Sequence, residues 1–487
     1  MPGTPTPPDG ADAAVEPDAT EPAIADEDPI AEGDERAGGA DAPPDDPDIV
    51  RTFLLGLAEG MTASAESTDR IRTEILDIAR AYGIDDVDVV VLPTITLIQT
   101  GRADRARIAL KSVQATFRFD QIAALGRLIR DARDASVRPE EGIRRLNEIG
   151  AMPPSRHWVM RILGHAILTM GLVLLLAPSW QAAVVAFGLG ALIGAGKLWR
   201  SQTLSMVLPI VAAFVCAVAV FLLAPVVQLG DPLRVLIAPL ATFLPGALLT
   251  TGVRELAAGQ MVSGTSRLGA GIVQLALLAF GILAAGTVVG IGDDGYVPRE
   301  VQETLPWWIA GIGLVLYGLG VYLHFAAPGR SYWWVVLALA VAYGAQQLGS
   351  VVVGPTISGL IGALVVTPVV LWIEDLRRGA VPSQIVFLPA FWVLVPGAAG
   401  LIGVTEGAVE ESAGIDDVTA AFVTVMSIAL GVLIGSALYR FVRRSASGIA
   451  EFHVDVPSVL AGSDEPVLTR IAEATASRSG RRRRGGG

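Results

Sequence analysis

The feature that most constrains this chain is a series of long apolar segments that begins near residue 160. Each segment has about 18 to 24 residues, the length that an α-helix needs to cross a bilayer. Apolar residues make up 52% of the chain and charged residues 17%. We therefore predict an α-helical polytopic membrane protein with ten transmembrane helices, at about 160–177, 181–197, 203–224, 234–253, 267–291, 306–325, 332–348, 350–372, 384–404 and 418–440.

The charges of the loops support this number of helices. If the first helix leaves the cytosol, the outside loops hold only Arg234 and Arg299 as basic residues. The short inside flanks then hold Arg156, Arg161, Lys197, Arg200, Arg254, Arg267, Arg330, Arg377, Arg378, Arg440, Arg443 and Arg444. Basic residues concentrate on the cytoplasmic side of membrane proteins. The pattern predicts a multi-pass protein of the plasma (inner) membrane with both termini cytoplasmic.

A short Pro-Gly stretch occurs twice, at 244–255 and 395–406, and the two copies share six of twelve positions without a gap. Proline removes a backbone donor, so each copy breaks helical hydrogen bonding at membrane depth. Each copy lies in the fourth apolar segment of a five-segment half, 160–291 or 306–440. Because five is odd, the second half must be inverted. The sequence thus predicts an inverted 5+5 repeat, which is typical of secondary transporters.

The two breaks are the predicted substrate site. There, freed backbone groups and helix ends suit a small zwitterion, and nearby hydroxyls would add hydrogen bonds. The candidate residues are Pro245, Gly246, Thr250, Thr251, Pro396 and Gly397. The alternative is that each Pro-Gly pair only kinks its helix for packing, since both residues are common in membrane helices.

Two acidic residues follow the breaks at matching positions. Glu255 and Glu406 come ten residues after their prolines, roughly 15 Å along a helix, so Glu255 would reach the inside interface and Glu406 the outside one. With Arg254, they are candidates for gating or proton coupling. Alternatively, they are ordinary helix-end acids, and Glu255 and Arg254 form a surface ion pair.

The remaining polar residues of the apolar segments are assigned to helix packing or to hydrogen bonds between helices. They are His165, Gln202, Gln274, His324, Gln346, Gln347, Thr356, Ser358 and Thr367. Lys197, Glu374 and Asp375 are expected at cytosolic helix ends.

Three parts of the chain lie outside the apolar segments. Residues 1–48 hold fifteen acidic residues and one Arg, and they have too few large apolar side chains to fold, which predicts a disordered acidic tail. Residues 50–150 predict a small cytosolic α/β domain, with a β-branched run at 87–98 interrupted by Pro93 and a further strand at 107–113. Residues 445–487 predict a polar cytosolic tail.

The sequence lacks the motifs of several functional classes. The chain has no G-x-x-x-x-G-K-[ST] ATP-binding motif, no nucleophile elbow and no metal-ligand spacing, and Cys216 is its only cysteine. We therefore expect no cofactor, no metal and no nucleic-acid partner, and transport energised by a gradient or by another chain. The first long apolar block begins near residue 160, so no signal peptide is expected.

The order of these elements resembles the threonine/serine exporter family. The resemblance rests on Val91-Leu92-Pro93-Thr94 in the α/β domain, Leu244-Pro245-Gly246 in the first half and Val395-Pro396-Gly397 in the second. It implies proton-driven export of L-threonine and L-serine from the cytosol, with the amino acid, protons and the lipid bilayer as partners. Homo-oligomerisation stays open.

Two alternatives remain at this point. One is a membrane-anchored enzyme or regulator whose working part is residues 50–150. A hydrolytic role has been suspected for this domain in the family, but here the domain contains no His and no Cys. Ser67, Thr68, Asp69 and Arg70 alone form no recognisable catalytic set. The other alternative is a transporter of a different small organic acid or amine.

Overall fold

The structure is a computed structural model that describes residues 46–101, 107–113, 116–176, 179–199, 202–290, 305–376, 381–394 and 414–446. The described residues belong to one compact unit. Most of the predicted acidic tail, nearly all of the C-terminal tail and the second Pro-Gly stretch lie outside the described residues. Pro396, Gly397 and Glu406 are among them.

The part before the apolar segments has mixed α/β structure. Its elements are α1 Pro47–Ala63, α2 Thr68–Ala81, β1 Val87–Val91, β2 Ile95–Thr100, β3 Arg107–Ser112, α3 Phe119–Arg133 and α4 Pro139–Ala151. The three strands form an antiparallel sheet in the order β1-β2-β3, with Val89 opposite Ile98 and Leu97 opposite Leu110. Pro93 lies in the turn between β1 and β2, because proline cannot donate to a sheet ladder.

The apolar faces of α1 and α2 meet the inner face of this sheet. Phe53, Leu54 and Leu57 of α1 are fully buried against Ile75 of α2 and Ile98 of β2. Both helices are amphipathic, so their periodic apolar residues are the ones that leave water. This core holds the turn between α1 and α2 in place, and that turn carries several residues of the site described below.

The apolar segments are helical. The helices are α5 Trp158–Leu176, α6 Trp180–Gly196, α7 Gln202–Leu223, α8 Pro232–Leu240, α9 Gly246–Ala257, α10 Met261–Val289, α11 Ile309–His324, α12 Tyr332–Val353, α13 Ser358–Glu374, α14 Ser383–Leu394 and α15 Gly414–Ala446. Each of the ten predicted segments overlaps at least one of them. The fourth segment contains two, α8 and α9.

Length and apolar character single out a subset of these helices as membrane spans. Among the described residues, five are long and apolar enough to cross a bilayer, at Trp158–Leu176, Met206–Leu223, Met261–Val289, Gly329–Val353 and Phe422–Arg443. The bent pair of α8 and α9 makes a sixth candidate. Four further apolar helices, α6, α11, α13 and α14, have 10 to 17 residues. The chain is therefore a predominantly helical, multi-pass membrane protein.

Close glycine contacts recur in the two predicted halves. A Cβ added at Gly281 of α10 would lie 2.7 Å from the carbonyl oxygen of Ile210 in α7, and one at Gly431 of α15 would lie 2.5 Å from that of Leu360 in α13. Residues 281 and 431 are 150 positions apart, and so are residues 210 and 360. The third and fifth helices of each predicted half therefore pack through equivalent residues.

The first helices of the two predicted halves, α5 and α11, also pack through glycines. Gly164 of α5 lies against Leu323 and His324 near the end of α11, and Gly320 of α11 lies against Leu168. Positions that come later in α5 contact positions that come earlier in α11, so the two helices run antiparallel. Without Cβ atoms at these glycines, the two backbones approach each other closely.

Candidate functional site

The fourth apolar segment is broken at the first Pro-Gly pair. After α8 the chain makes a 3-10 turn at Ala241–Phe243, and α9 begins at Gly246 with Pro245 as its N-cap. The helical parts on either side of the break are bent by 66°. The break falls where the sequence predicts it, because Pro245 has no N–H with which to continue the helix.

A backbone carbonyl at the break accepts a hydrogen bond from a neighbouring helix. The side-chain amide of Gln274 in α10 donates to the carbonyl oxygen of Phe243 at 2.5 Å. That carbonyl lies two residues before Pro245, where regular helical hydrogen bonding has stopped. Gly271, one turn before Gln274, lets α10 approach closely, since a Cβ there would lie 2.5 Å from Leu249 Cδ2. Gln274, for which helix packing or a hydrogen bond between helices was expected, forms such a bond and thus stabilises the break.

The hydroxyl-bearing candidates of α9 have different surroundings. Thr250 is 2% exposed, and its Oγ1 has no hydrogen-bond partner in the described part of the chain. A buried hydroxyl without a partner costs free energy, so a ligand that binds it gains affinity at this position. Thr251, the next residue, is only half-buried. Of the two threonines, Thr250 is therefore the stronger candidate for a substrate contact.

The second predicted break, at Pro396 and Gly397, lies outside the described residues, but the end of α14 before it is described. The last described carbonyl of α14, that of Leu394, accepts a hydrogen bond from the Gln346 amide of α12 at 3.4 Å. Leu394 precedes Pro396 by two residues, as Phe243 precedes Pro245. Beside Gln346 lies a cavity of about 260 Å³ between α5, α12, α13 and α14, lined in part by Tyr343, Ser350 and Ser358. Polar side chains thus gather next to this end of α14 as well.

Glu255 does not lie at a surface. It is 1% exposed, and its Oε2 accepts a hydrogen bond from Arg267 Nε of α10 at 3.0 Å. Its Oε1 accepts from both the backbone N–H and the hydroxyl of Thr68, each at 3.0 Å. The suggested surface ion pair with Arg254 is therefore wrong: the partner of Glu255 is Arg267, and Arg254 forms no salt bridge in the described part of the chain.

Thr68 is the first residue of α2, so a carboxylate from the membrane helices lies at the N-terminus of a helix in the α/β part. The free N–H groups and the dipole of a helix N-terminus favour an anion at that position. Arg267 also donates to the backbone carbonyl of Glu66, 3.3 Å away, in the turn before α2. The α1–α2 turn is thereby bound to both α9 and α10.

The same turn is bound to α13 and α14. Arg70 of α2 pairs with Glu374 at the end of α13 at 2.5 Å and donates to Ser383 Oγ of α14 at 3.2 Å. Glu66 lies 3.4 Å from Arg70 and accepts a hydrogen bond from the Gln384 amide. Glu66 and Glu374 raise the pKa of the Arg70 guanidinium above its ordinary value, against the lowering by burial, so Arg70 stays charged.

We name these residues the Glu255 cluster: Glu66, Thr68, Arg70, Glu255, Arg267 and Glu374. The cluster joins α9 and α10 to the end of α13 through the α1–α2 turn and the start of α2, and its residues Arg70 and Glu66 also contact α14. Sequence reasoning found Glu255 but missed the role of Thr68 and Arg70. The only local signals were the Ser67 N-cap position and the Glu66–Arg70 spacing of four. Neither signal indicates which residue, about 190 or 300 positions away, is the contact partner.

Comparison with known proteins agrees with the predicted resemblance. Residues 52–289 match the family described as "Putative threonine/serine exporter". The chain is similar to a protein named "Probable threonine/serine exporter" from Mycobacterium tuberculosis, with 25% identity over 84% of this chain and 80% of that protein. It is also similar to one named "Threonine/serine exporter" from Corynebacterium glutamicum, with 22% identity over 81% of this chain and 83% of that protein. No solved structure gives a significant match.

Proposed function

We propose that this chain, which matches the threonine/serine exporter family over residues 52–289, exports L-threonine and L-serine from the cytosol by proton antiport with alternating access. The observation that carries this proposal is the 66° break at Pro245 in the fourth apolar segment. Broken helices in secondary transporters form the binding site, because their ends and unpaired backbone groups can bind a small charged substrate. Thr250, buried and without a partner in the described residues, lies one turn beyond this break.

Alternating access requires two similar halves that can move against each other. The proposed inverted 5+5 repeat of ten membrane helices is supported by the equivalent contacts at Gly281 and Gly431, 150 positions apart. The antiparallel packing of α5 against α11 also supports it, because the first helices of two inverted halves must run in opposite directions. In this arrangement both termini are cytoplasmic and the α/β part lies in the cytosol.

The Glu255 cluster is proposed as the inside gate. Glu255 pairs with Arg267 and accepts two hydrogen bonds from Thr68, so the contacts that join α9, α10 and the α/β part depend on its charge. Protonation of the carboxylate removes that charge and weakens these contacts. This would couple proton movement to opening of the cytosolic side. Arg254 is proposed to add positive charge near this gate, and Glu406, outside the described residues, is its proposed outside counterpart.

The proposed gate assigns a role to the α/β part. Thr68 and Arg70, which form no catalytic set of their own, contact residues of α9, α13 and α14. In the proposed mechanism the α/β part is therefore a component of the transporter that closes its cytosolic side. Removal of residues 50–150 is expected to impair export, and unchanged export by such a truncated protein would contradict this role.

The function is tested by threonine efflux from intact cells. A strain lacking this protein and the same strain expressing it are loaded with a threonine-containing dipeptide, which intracellular peptidases cleave. We expect the expressing strain to release threonine faster and to accumulate less of it. A protonophore should abolish the difference if export is coupled to protons. Equal efflux from the two strains would reject the substrate assignment.

A further inference from the structure

The polar side chains of His165 and Lys197 meet at Thr242, three positions before Pro245. Thr242 lies in the 3-10 turn that precedes the break. His165 Nε2 of α5 lies 3.1 Å from Thr242 Oγ1, and the ammonium group of Lys197, directly after α6, donates to the same oxygen. His324 of α11 packs its ring against that of His165, with 4.7 Å between the ring centroids. We name His165, Lys197, Thr242 and His324 the Lys197 cluster.

The hydrogen bonds determine how His165 is oriented. Its Nδ1 lies 2.9 Å from the carbonyl oxygen of Gly190 in α6, and a carbonyl can only accept. Nδ1 therefore carries the proton, and in the neutral ring Nε2 is an acceptor. The Thr242 hydroxyl then donates to Nε2 and accepts from Lys197. His324 is oriented in the same way, because its Nδ1 lies 2.9 Å from the carbonyl oxygen of Arg161.

Lys197 lacks an acidic partner in the part of the chain that the structure describes. Its ammonium group instead lies 4.4 Å from the centroid of the Phe243 ring. The other members of its cluster are two imidazoles and a hydroxyl, so the cluster contains no negative charge. A partly buried ammonium group is stabilised by a nearby anion. The site therefore favours an anionic ligand.

We propose that the Lys197 cluster binds the carboxylate group of the transported amino acid. This inference rests on the proposed function and extends it, because it identifies the side chain that recognises the anionic half of the substrate. Lys197 would form the ion pair, Thr242 would accept a hydrogen bond from Lys197 and hold its ammonium group in place, and His165, which accepts from the Thr242 hydroxyl, would position Thr242. The location fits, since Thr242 and Phe243 immediately precede the break and a helix N-terminus, that of α9, follows it.

The binding mode predicts which molecules are recognised. An amino acid whose carboxylate is replaced by a neutral amide should lose the ion pair and bind more weakly. The ammonium group of the substrate should lie away from Lys197, because like charges repel. Small amines without a carboxylate should therefore be poor ligands. In this binding mode the Lys197 cluster does not recognise the side chain of the transported amino acid.

The test uses the purified full-length chain in lipid nanodiscs. Bound radiolabelled L-threonine is competed with unlabelled L-threonine or with L-threoninamide. Wild-type protein should bind the amide at least about 10-fold more weakly, since a charge-assisted hydrogen bond contributes about 10- to 100-fold in affinity. Lys197→Met should lose about 10- to 100-fold in affinity for L-threonine and no longer discriminate between the two compounds.

The sequence provides a matched control. The chain contains two lysines, and the other one, Lys111, pairs with Glu59 in the α/β part. Lys111→Met should bind both compounds as the wild type does. Thr242→Val, which keeps the side-chain volume, is the second variant and should also weaken L-threonine binding.

The outcomes separate the inference from the proposed function. If Lys197→Met binds L-threonine with wild-type affinity and discrimination, the inference is wrong while the exporter assignment stands. If Lys197→Met does not reach the membrane, its binding cannot be measured and Thr242→Val becomes the test. Wild-type affinity of Thr242→Val for L-threonine would then overturn the inference. If the wild-type protein binds no L-threonine at all, the proposed function fails and the inference fails with it.

Discussion

Thr68 and Glu255 are 187 positions apart in the chain, yet both the backbone N–H and the hydroxyl of Thr68 donate to one carboxylate oxygen of Glu255 at 3.0 Å. The carboxylate comes from the broken fourth apolar segment, and the donors come from the first residue of α2. Hydrogen bonds to a charged group are stronger than those between neutral groups. The contact therefore links the α/β part directly to the helix that follows the Pro-Gly break.

Thr68→Val is expected to weaken this link. The substitution keeps the shape and the backbone donor but removes one hydrogen bond to a charged group, which contributes about 1.5–3 kcal/mol. The purified variant should unfold at a lower temperature and export threonine at a changed rate. Thr73→Val on the same helix is the control, because Thr73 is exposed and its hydroxyl bonds only within α2. Equal effects of the two variants would show that the Glu255 contact is unimportant.

Glu255→Gln is expected to be more damaging. It leaves Arg267 buried without a countercharge, and breaking a buried pair from one side costs about 3–5 kcal/mol. Combining it with Arg267→Met should restore part of the stability, since the double variant has no unpaired buried charge. Thermal unfolding of the single and double variants checks this. A double variant less stable than Glu255→Gln alone would contradict the assignment of Arg267 as the partner.

Gln274→Leu is expected to destabilise the break. The partly buried Phe243 carbonyl would lose its donor, which costs at most about the 1–3 kcal/mol of a fully buried unsatisfied polar group. Both the unfolding temperature and the rate of threonine efflux should fall. Gln181→Leu, in the first turn of α6, is the comparison variant and should change neither quantity. Wild-type stability of Gln274→Leu would mean that the carbonyl finds another partner.

Gly281→Ala and Gly431→Ala are expected to have equal effects in the two halves. At each position the added Cβ would press against a backbone carbonyl, of Ile210 or of Leu360, and overpacking typically costs about 1–3 kcal/mol. Gly269→Ala in α10 is the control, because nothing lies within 4 Å of its added Cβ. Thermal unfolding of the three variants measures the difference. If only one of Gly281→Ala and Gly431→Ala left the unfolding temperature unchanged, the two halves would not pack through equivalent residues.

Pro245→Ala and Pro396→Ala are each expected to slow threonine efflux while the protein remains in the membrane. Restoring a backbone donor lets the helix continue through the break and removes the unpaired groups that are proposed to bind the substrate. Efflux from dipeptide-loaded cells and the amount of protein in the membrane fraction are measured together. Wild-type efflux from the double variant would reject the broken-helix site.

Much of the fold could be predicted from the length and spacing of apolar residues in the sequence. Each of the ten segments predicted from apolar length overlaps a described helix, and the β-branched run with Pro93 predicted the positions of β1 and β2. Proline chemistry also placed the first break, because a missing N–H acts on the backbone at its own position whatever surrounds it. For Glu255 the sequence predicted the position along the helix but suggested the wrong ion-pair partner, since Arg254 is its neighbour in the chain and Arg267 its neighbour in space.

Sequence alone determined that this is a multi-pass helical membrane protein with a break at Pro245, because helix length and proline are local properties. Only the tertiary structure decided which side chains meet at the break. Thr68 joins Glu255, and Lys197 joins Thr242, across separations of 187 and 45 positions. Lys197 was expected at a cytosolic helix end; it is the C-cap of α6, and only the structure shows that its side chain contacts Thr242. Such pairings depend on how packed helices are placed in three dimensions, and no local pattern in the chain encodes that placement.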